Sequence, residues 1–291
     1  MVFYRLNSVR SLARFLQKNH QLRLACGLEE RIPSYRTFTR RFKTLDHPVV
    51  SFARQVIQVL VKYKIVSLKV IATDSSLLKA KGRPAQKRNP KVKPSDPEAR
   101  WGWSATKDWV FGYKLHLTST VLFKNKGQTL VPLSWEISSA NHHDTKFLLP
   151  LMKRVHSLAG SCQRKIKYSL ADKGYDSEIN YQSCQQLGFR LITPIRKMKT
   201  KKGKPIRLSR TKKSVLKFLQ TKKGKQLYYR RADSERLIGH LKNLFLIDPL
   251  PVRGLVNIRP YLALINLAYL LAVLYNHLNG RSLRAIKSLV A

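Results

Sequence analysis

Three carboxylates stand out in a chain that has few. Asp74 closes the β-branched apolar run SLKVIATDSS, Asp172 closes the apolar run in KIKYSLADKGYDS, and Glu235 lies in YYRRADSERLIGHLK among four basic residues. With 15 Asp plus Glu against 57 Lys plus Arg, each acid stands in strong positive potential and asks for a reason. One Asp after a strand is as readily a turn or cap residue as a catalytic one; two at neighbouring strand ends are harder to explain that way. Paired carboxylates offer hard oxygen donors that suit Mg²⁺ or Mn²⁺. Two such ions about 4 Å apart activate an attacking oxygen and stabilise a leaving one during in-line phosphoryl transfer. A third carboxylate from another element would complete the set, and Glu235 is the candidate.

The neighbours of Glu235 bear on this. In one unbroken helix over 228–242, Arg231, Glu235 and Lys242 fall at roughly 300°, 340° and 320° from Tyr228, a single narrow stripe. Such a stripe cannot be buried without an anion or a metal to satisfy it. If instead Asp233 or Ser234 caps the helix, Tyr228 and Arg231 lie outside it and the stripe weakens.

The elements that must position these groups follow from periodicity. Residues 1–66 carry helix-period patterns, SLARFLQ and VVSFARQVIQVLVKY, with Pro33 near a helix start. This is an N-terminal helical region that either binds DNA ends or presents a plain solvated face. From 67 the pattern changes to strands. The first ends at Asp74, a Pro/Lys-rich loop follows, and WVFGYKLHLTSTVLF and QTLVPLSWEISS supply two more. A helix over 145–158 with Asp144 as cap, a strand ending at Asp172, a helix over 176–187 and the strand FRLITPI come next. This order predicts an α/β chain with an RNase H-like mixed five-stranded sheet flanked by helices. Its first strand pairs in parallel with the fourth through a crossover of the usual hand, so that Asp74 and Asp172 become neighbours. The core therefore divides into 67–196, a basic insertion over 197–227, and C-terminal helices over 228–291 that carry the Glu. Residues 196–231 hold sixteen Lys or Arg and no acid. Such a block is ordinarily a solvated loop, and here contact with a DNA backbone is the favoured reading.

A net charge of +42 with 43% hydrophobic residues describes a folding chain that wants a polyanionic partner, not a disordered tail. Charge alone leaves RNA binding open. Cys26, Cys162 and Cys184 are odd in number and widely spaced, which excludes a disulfide framework or zinc ribbon and fits a reducing cytoplasm. The apolar run YLALINLAYLLAVLY, interrupted by Asn266, reads as a buried core helix and not a membrane span.

The spacing of Tyr228, Arg231, Glu235 and Lys242 resembles the YREK signature of the family named after insertion sequence four, among the DDE transposases of bacterial mobile elements. DSSLLKA, GYKLHLTS, NHHD and DKGYDS extend the resemblance over 66–278. It implies a metal-dependent triad of Asp74, Asp172 and Glu235, with two Mg²⁺ or Mn²⁺ ions. It also implies phosphate contacts from Tyr228, Arg231 and Lys242, which the adjacent Arg230 joins. Gly174 and Tyr175 follow the second Asp as the motif expects. The implied partners are the double-stranded DNA of the element's ends and its target, bound by a homodimer, near the nucleoid and away from any membrane. Relatives that excise through hairpins carry a β-rich insertion with a tryptophan before the Glu helix. Here that interval is 197–227, and Trp101, Trp103, Trp109 and Trp135 all precede Asp172. The resemblance therefore does not extend to the hairpin route.

His142 and His143 beside Asp144 offer metal ligands, though a helix start capped by Asp144 explains that Asp alone. Trp101 and Trp103 either stack on bases or, as preferred here, anchor the second strand in the core. Asp176 and Glu178 read as supporting or helix-terminal charges.

Overall fold

The computed structural model describes residues 2–6, 8–28, 31–86, 91–104, 108–123, 127–196 and 207–290. Four helices open the chain: α1 (Val9–Lys18), α2 (His20–Ala25), α3 (Tyr35–Lys43) and α4 (Asp46–Lys62). Ser8 and Ser34 cap α1 and α3 through their hydroxyls, accepting from the Ser11 and Thr37 amides. Helix α4 buries Val49, Ala53, Val56, Ile57 and Leu60, a 3.6-period stripe, and each such side chain taken from water stabilises by up to about 3 kcal/mol.

The strands are β1 (Val70–Lys79), β2 (Arg100–Ser104), β3 (Asp108–Thr120), β4 (Pro132–Ser139), β5 (Tyr168–Ala171) and β6 (Arg190–Ile192). Between and after them run α5 (Thr145–Ser161), α6 (Glu178–Gln186), α7 (Arg210–Gln220), α8 (Lys222–Tyr229), α9 (Ala232–Phe245) and α10 (Leu255–Leu278). The expected five strands lie in the order β4, β3, β1, β5, β6. β4, β3 and β1 form the antiparallel meander, and β1 pairs in parallel with β5, Val70 with Tyr168 through Thr73 with Ala171. β6 extends the parallel side.

A sixth strand, β2, lies where a structureless Pro/Lys loop was expected, and it pairs with the first residues of β3. Trp101 packs edge-on to Phe111 and donates its indole N–H to the Ala85 carbonyl. Trp103 faces Trp109 across the pair, and the two are 61% and 57% exposed. The expectation that Trp103 anchors the core is thus corrected, because β2 pairs with the part of β3 that extends past the end of β1, and Trp103 there is largely exposed.

Within the basic block, 197–206 lies outside the described residues. The remainder is helical rather than a loop: α7 buries Val215, the Lys212 ammonium reaches the buried Asp176 at 2.9 Å, and Arg190 lies over the Phe218 ring. α10 is long and apolar enough to cross a membrane, but 72% of its most apolar window is buried inside the protein, largely against α4, and it serves as a core helix. All three cysteines are free.

Gly112 stands where β1, β2 and β3 meet. A Cβ there would come within 2.8 Å of the Ala80 nitrogen and still closer to the Leu78 carbonyl oxygen, both backbone atoms that cannot step aside. Gly112→Ala is expected to lower stability by about 3 kcal/mol, at the upper end for overpacking. Urea unfolding of the two proteins measures it.

Candidate active site

The expectation that the first strand ends at Asp74 is corrected: β1 stays paired with β3 as far as Lys79, so Asp74 lies mid-strand, opposite Leu117, while Asp172 is the first residue after β5. Because Thr73 pairs with Ala171, each carboxylate is one residue beyond the last parallel pair. Asp172 takes the N-cap position of a short 3-10 turn, Lys173–Tyr175, yet its side chain caps nothing. It is exposed, and among the described residues no ion pair holds it.

Glu235 comes from the first turn of α9, which packs on β1 and β3. The Arg231 guanidinium joins the two elements: Nη2 lies 2.6 Å from Glu235 Oε1, and Nη1 lies 3.8 Å from Asp74 Oδ1. Asp74 is 15% exposed and Glu235 49%, so one carboxylate is sunk and the other is at the rim. Burial pushes Asp74 up to about 7; Arg231 opposes this, while Glu235 and Asp172 push the same way as burial. The three acids thus feel one another, and their mutual repulsion is held in check by one cation.

The single helix over 228–242 is corrected to two. Backbone bonds from Arg230 and Arg231 to the carbonyls of Leu227 and Tyr228, three residues back, tighten the chain between α8 and α9. Tyr228 is drawn aside, its ring packed on the apolar cluster of Val70, Ala72, Leu170 and Ile192. Burial pushes its phenol up to about 12, so it stays a proton donor, with Arg231 5.9 Å above the ring. Neither Asp233 nor Ser234 is the cap; both lie inside the first turn, after Arg231. Asp233 is buried and accepts from the Leu122 amide at 2.9 Å and from Arg236 at 2.6 Å, tying α9 to the end of β3. Lys242 donates to Ser76 Oγ (2.7 Å) and the Leu77 carbonyl (2.9 Å) and pairs with Asp248 at 3.3 Å. It clips α9 to β1, so in this arrangement it is held apart from any phosphate. Arg230 is half-buried beside Arg231.

The family described as "Transposase DDE domain" matches residues 67–271, well over half of the chain and the whole span from β1 to α10 that carries the three carboxylates. The chain belongs to this DDE transposase family. No curated protein sequence matches it. Among solved structures, a piggyBac transposase synaptic complex with hairpin DNA is similar with a TM-score of 0.41 and 9% identity, over 76% of this chain and 50% of that one. A Mos1 transposase paired-end complex with left transposon end gives 0.24 and 10%, over 78% and 76%. The chain spans half the length of the piggyBac transposase chain it matches.

In this DDE domain the three acids supply only carboxylate oxygens, a donor set that suits a hard divalent cation. Among the described residues no three His, Cys, Asp or Glu side chains are yet gathered as a metal cage, and the charge between Asp74 and Glu235 is the Arg231 guanidinium. The chemistry of the site fits a cation of that class, and its present geometry is that of a site closed around an arginine.

On the opposite face of the sheet lies a brace that the sequence did not disclose. Asp144 occupies the N-cap position of α5 but makes no cap bond. Its Oδ1 accepts from Ser75 Oγ at 3.1 Å and pairs with Lys114 at 3.1 Å. Its Oδ2 would stand 2.7 Å from a Cβ on Gly174, so a larger residue two positions after Asp172 would push the Asp144 carboxylate aside. One carboxylate therefore touches the neighbour of Asp74 and the loop of Asp172. His116, cross-strand from Ser75, is fully buried, bonds to Ser138 and Tyr175, and stacks on Phe147. His142 stacks on Phe147, while His143 meets Thr145 and Arg196, which leaves both as surface packing residues beside the brace. Asp176 accepts from the Arg196 amide at 2.7 Å and holds Lys212, a fastening for α7. The available signal for Asp144 was its rarity: a carboxylate in NHHD within a chain so basic.

Burial lowers His116 to about 3, against the pull of Asp144. Between about 6.5 and 3 the unfolded chain binds a proton that the folded chain refuses, so this group destabilises the fold as pH falls through that window. Asp74 acts oppositely, the fold holding a proton between about 4 and 7 that the unfolded chain has released. In wild type the two offset one another between pH 4.5 and 6. His116→Gln should become more stable on acidification, and Asp74→Asn less stable, each by about 1.4 kcal/mol per pH unit. Denaturant unfolding at pH 6, 5 and 4.5 gives both slopes; parallel curves for all three proteins would refute the assignment.

Proposed function

We propose that this chain cuts DNA at the ends of a mobile element and joins the freed 3′-hydroxyl to target DNA. In this reading it belongs to the branch named after insertion sequence four, with Tyr228, Arg231, Glu235 and Lys242 as its signature. The observation that carries the reading is the Arg231 bridge. A β1 carboxylate and an α9 carboxylate share one cation, with the Asp172 carboxylate free at the neighbouring strand end.

Asp74, Asp172 and Glu235 would hold divalent cations, Mg²⁺ or Mn²⁺ and two in number. Bound there, such ions supply activation of the attacking oxygen and stabilisation of the leaving one. The remaining work belongs to the chain. Arg231 exchanges its carboxylate partners for a phosphate, to which a guanidinium offers two parallel N–H donors. Tyr228, protonated at neutral pH, donates to a phosphate oxygen beside it. Arg230 adds charge to the same contact, and Lys242 reaches it only by leaving Ser76 and Asp248. The Asp144 brace keeps the Asp74 and Asp172 ends at fixed separation. The partners are double-stranded element ends and target DNA, paired by a homodimer in the cytoplasm.

Asp74→Asn, Asp172→Asn and Glu235→Gln keep the shapes and remove the charges. Each should lower Mg²⁺-dependent cleavage of the element's end about 10³-fold or more, with the duplex still bound. Cleavage retained in any of them would refute the triad. Supplying pre-cut ends with a target plasmid separates the steps: joined products support strand transfer, and their absence with cleavage intact reduces the protein to a nuclease.

A further inference from the structure

A large groove lies away from the three carboxylates. It encloses about 1350 Å³ at the other end of the parallel strands, walled by the segments before β1 and β5, by β6 and by the start of α7. Its floor is apolar, with Leu68, Ile166, Phe189 and Leu191 buried. Its rim carries Lys64, Lys69, Arg164, Lys165, Lys167 and Arg210, all exposed, and among the described residues no Asp or Glu lines it.

Backbone pairing forces several of these charges together. The Lys167 amide donates to the Lys69 carbonyl at 2.8 Å, and the Arg190 amide to the Lys167 carbonyl at 3.1 Å. Three cationic residues thus start three adjacent strands, which stand about 4.8 Å apart. Like charges so placed repel. Around the carboxylates the cations are neutralised: Arg231 by Asp74 and Glu235, Lys242 by Asp248, Lys114 by Asp144. At the groove, Arg190 lies over Phe218 and bonds Ser214, and among the described residues none of the seven has an acidic partner. A concave surface of one sign, over a low-dielectric floor, concentrates potential and selects a polyanion.

We propose that this groove is a second DNA-binding site, which holds the phosphate backbone of duplex DNA at a distance from the scissile phosphate. Lys69 precedes Asp74 by five residues of extended chain, about 16 Å, or roughly five base pairs of duplex. The groove therefore engages a different stretch of DNA from the one at the carboxylates. Arg210 opens α7, and the exposed Lys213, Lys217, Lys222, Lys223 and Lys225 follow in sequence on the way to Tyr228, a basic link between the two sites. Duplex DNA is chosen as the polyanion because the proposal rests on the transposase reading above. Its test reads binding alone, without divalent cations, so the fate of the triad does not decide it.

In the full-length protein, lysine acetylation followed by mass spectrometry compares Lys64, Lys69, Lys165 and Lys167 with and without a 30-base-pair duplex. All four are expected to be protected severalfold, while the exposed Lys153, outside the groove on α5, serves as reference. The second measurement is the salt dependence of affinity for Lys64→Ala/Lys69→Ala/Arg164→Ala/Lys165→Ala, an all-surface variant with an expected thermal midpoint near wild type. Its slope of log affinity against log salt should fall by about 3, and its affinity by about tenfold or more. Unprotected lysines, or an unchanged slope, overturn the second site and leave the triad standing. Protection by single-stranded RNA equal to that by duplex DNA overturns the choice of ligand.

Discussion

The parallel pairing of Thr73 with Ala171 is the constraint on which the site depends. It brings two chain segments, separated by three further strands and a helix, to a common edge with a carboxylate next on each. Slipping β1 by one residue would turn Asp74 to the α5 face, where Ser75 now meets Asp144, and would bury the acid among Phe147, His116 and Tyr175. Register is protected by apolar alternation and by the paired hydroxyls of Thr73 and Thr118, 2.8 Å apart and fully buried. The strand immediately before Asp74 is thereby fixed on both sides.

Scarcity of acid shapes the rest. Several carboxylates act as fasteners between elements: Asp96 takes the Tyr113 hydroxyl and the Gly254 amide at the start of α10, and Asp248 takes the Lys79 amide and Lys242. Asp233 and Asp176 do the same for α9 and α7. Each fastener is buried or paired, as an acid in so positive a chain should be. Among the described residues, Asp172 alone of the three candidate acids has neither burial nor an ion pair.

Much of this was legible in the sequence, and the misses have physical causes. The meander, the crossover and the adjacency of Asp74 and Asp172 could be read because alternation and β-branching describe half-buried strands directly, although β1 runs on past Asp74 to Lys79. β2 escaped because five residues with a central glycine carry little periodicity, and Trp103 faces outward on a strand that overhangs β1. The helices α7 and α8 escaped because a run of like charge reads as a loop; burial of Val215 and the stacking of Phe218 on Tyr168 outweigh that repulsion. No glycine or proline announces the break at Arg230 and Arg231, since it comes from Tyr228 packing on the sheet. The brace from Asp144 to Gly174 joins residues thirty apart through a contact that only the folded crossover creates.

The Arg231 guanidinium shows why one residue type at one position carries so much. Burial raises the cost of charge on Asp74, and two further acids raise it again. A lysine at 231 would offer a point charge to one acid, whereas the planar fork of arginine reaches Glu235 with one nitrogen and Asp74 with the other. The two contacts are unequal, 2.6 Å to the exposed acid and 3.8 Å to the buried one, so the arginine is anchored on α9 and only leans toward β1. Withdrawing it from Asp74 therefore breaks the longer and weaker contact while the helix keeps hold of its base.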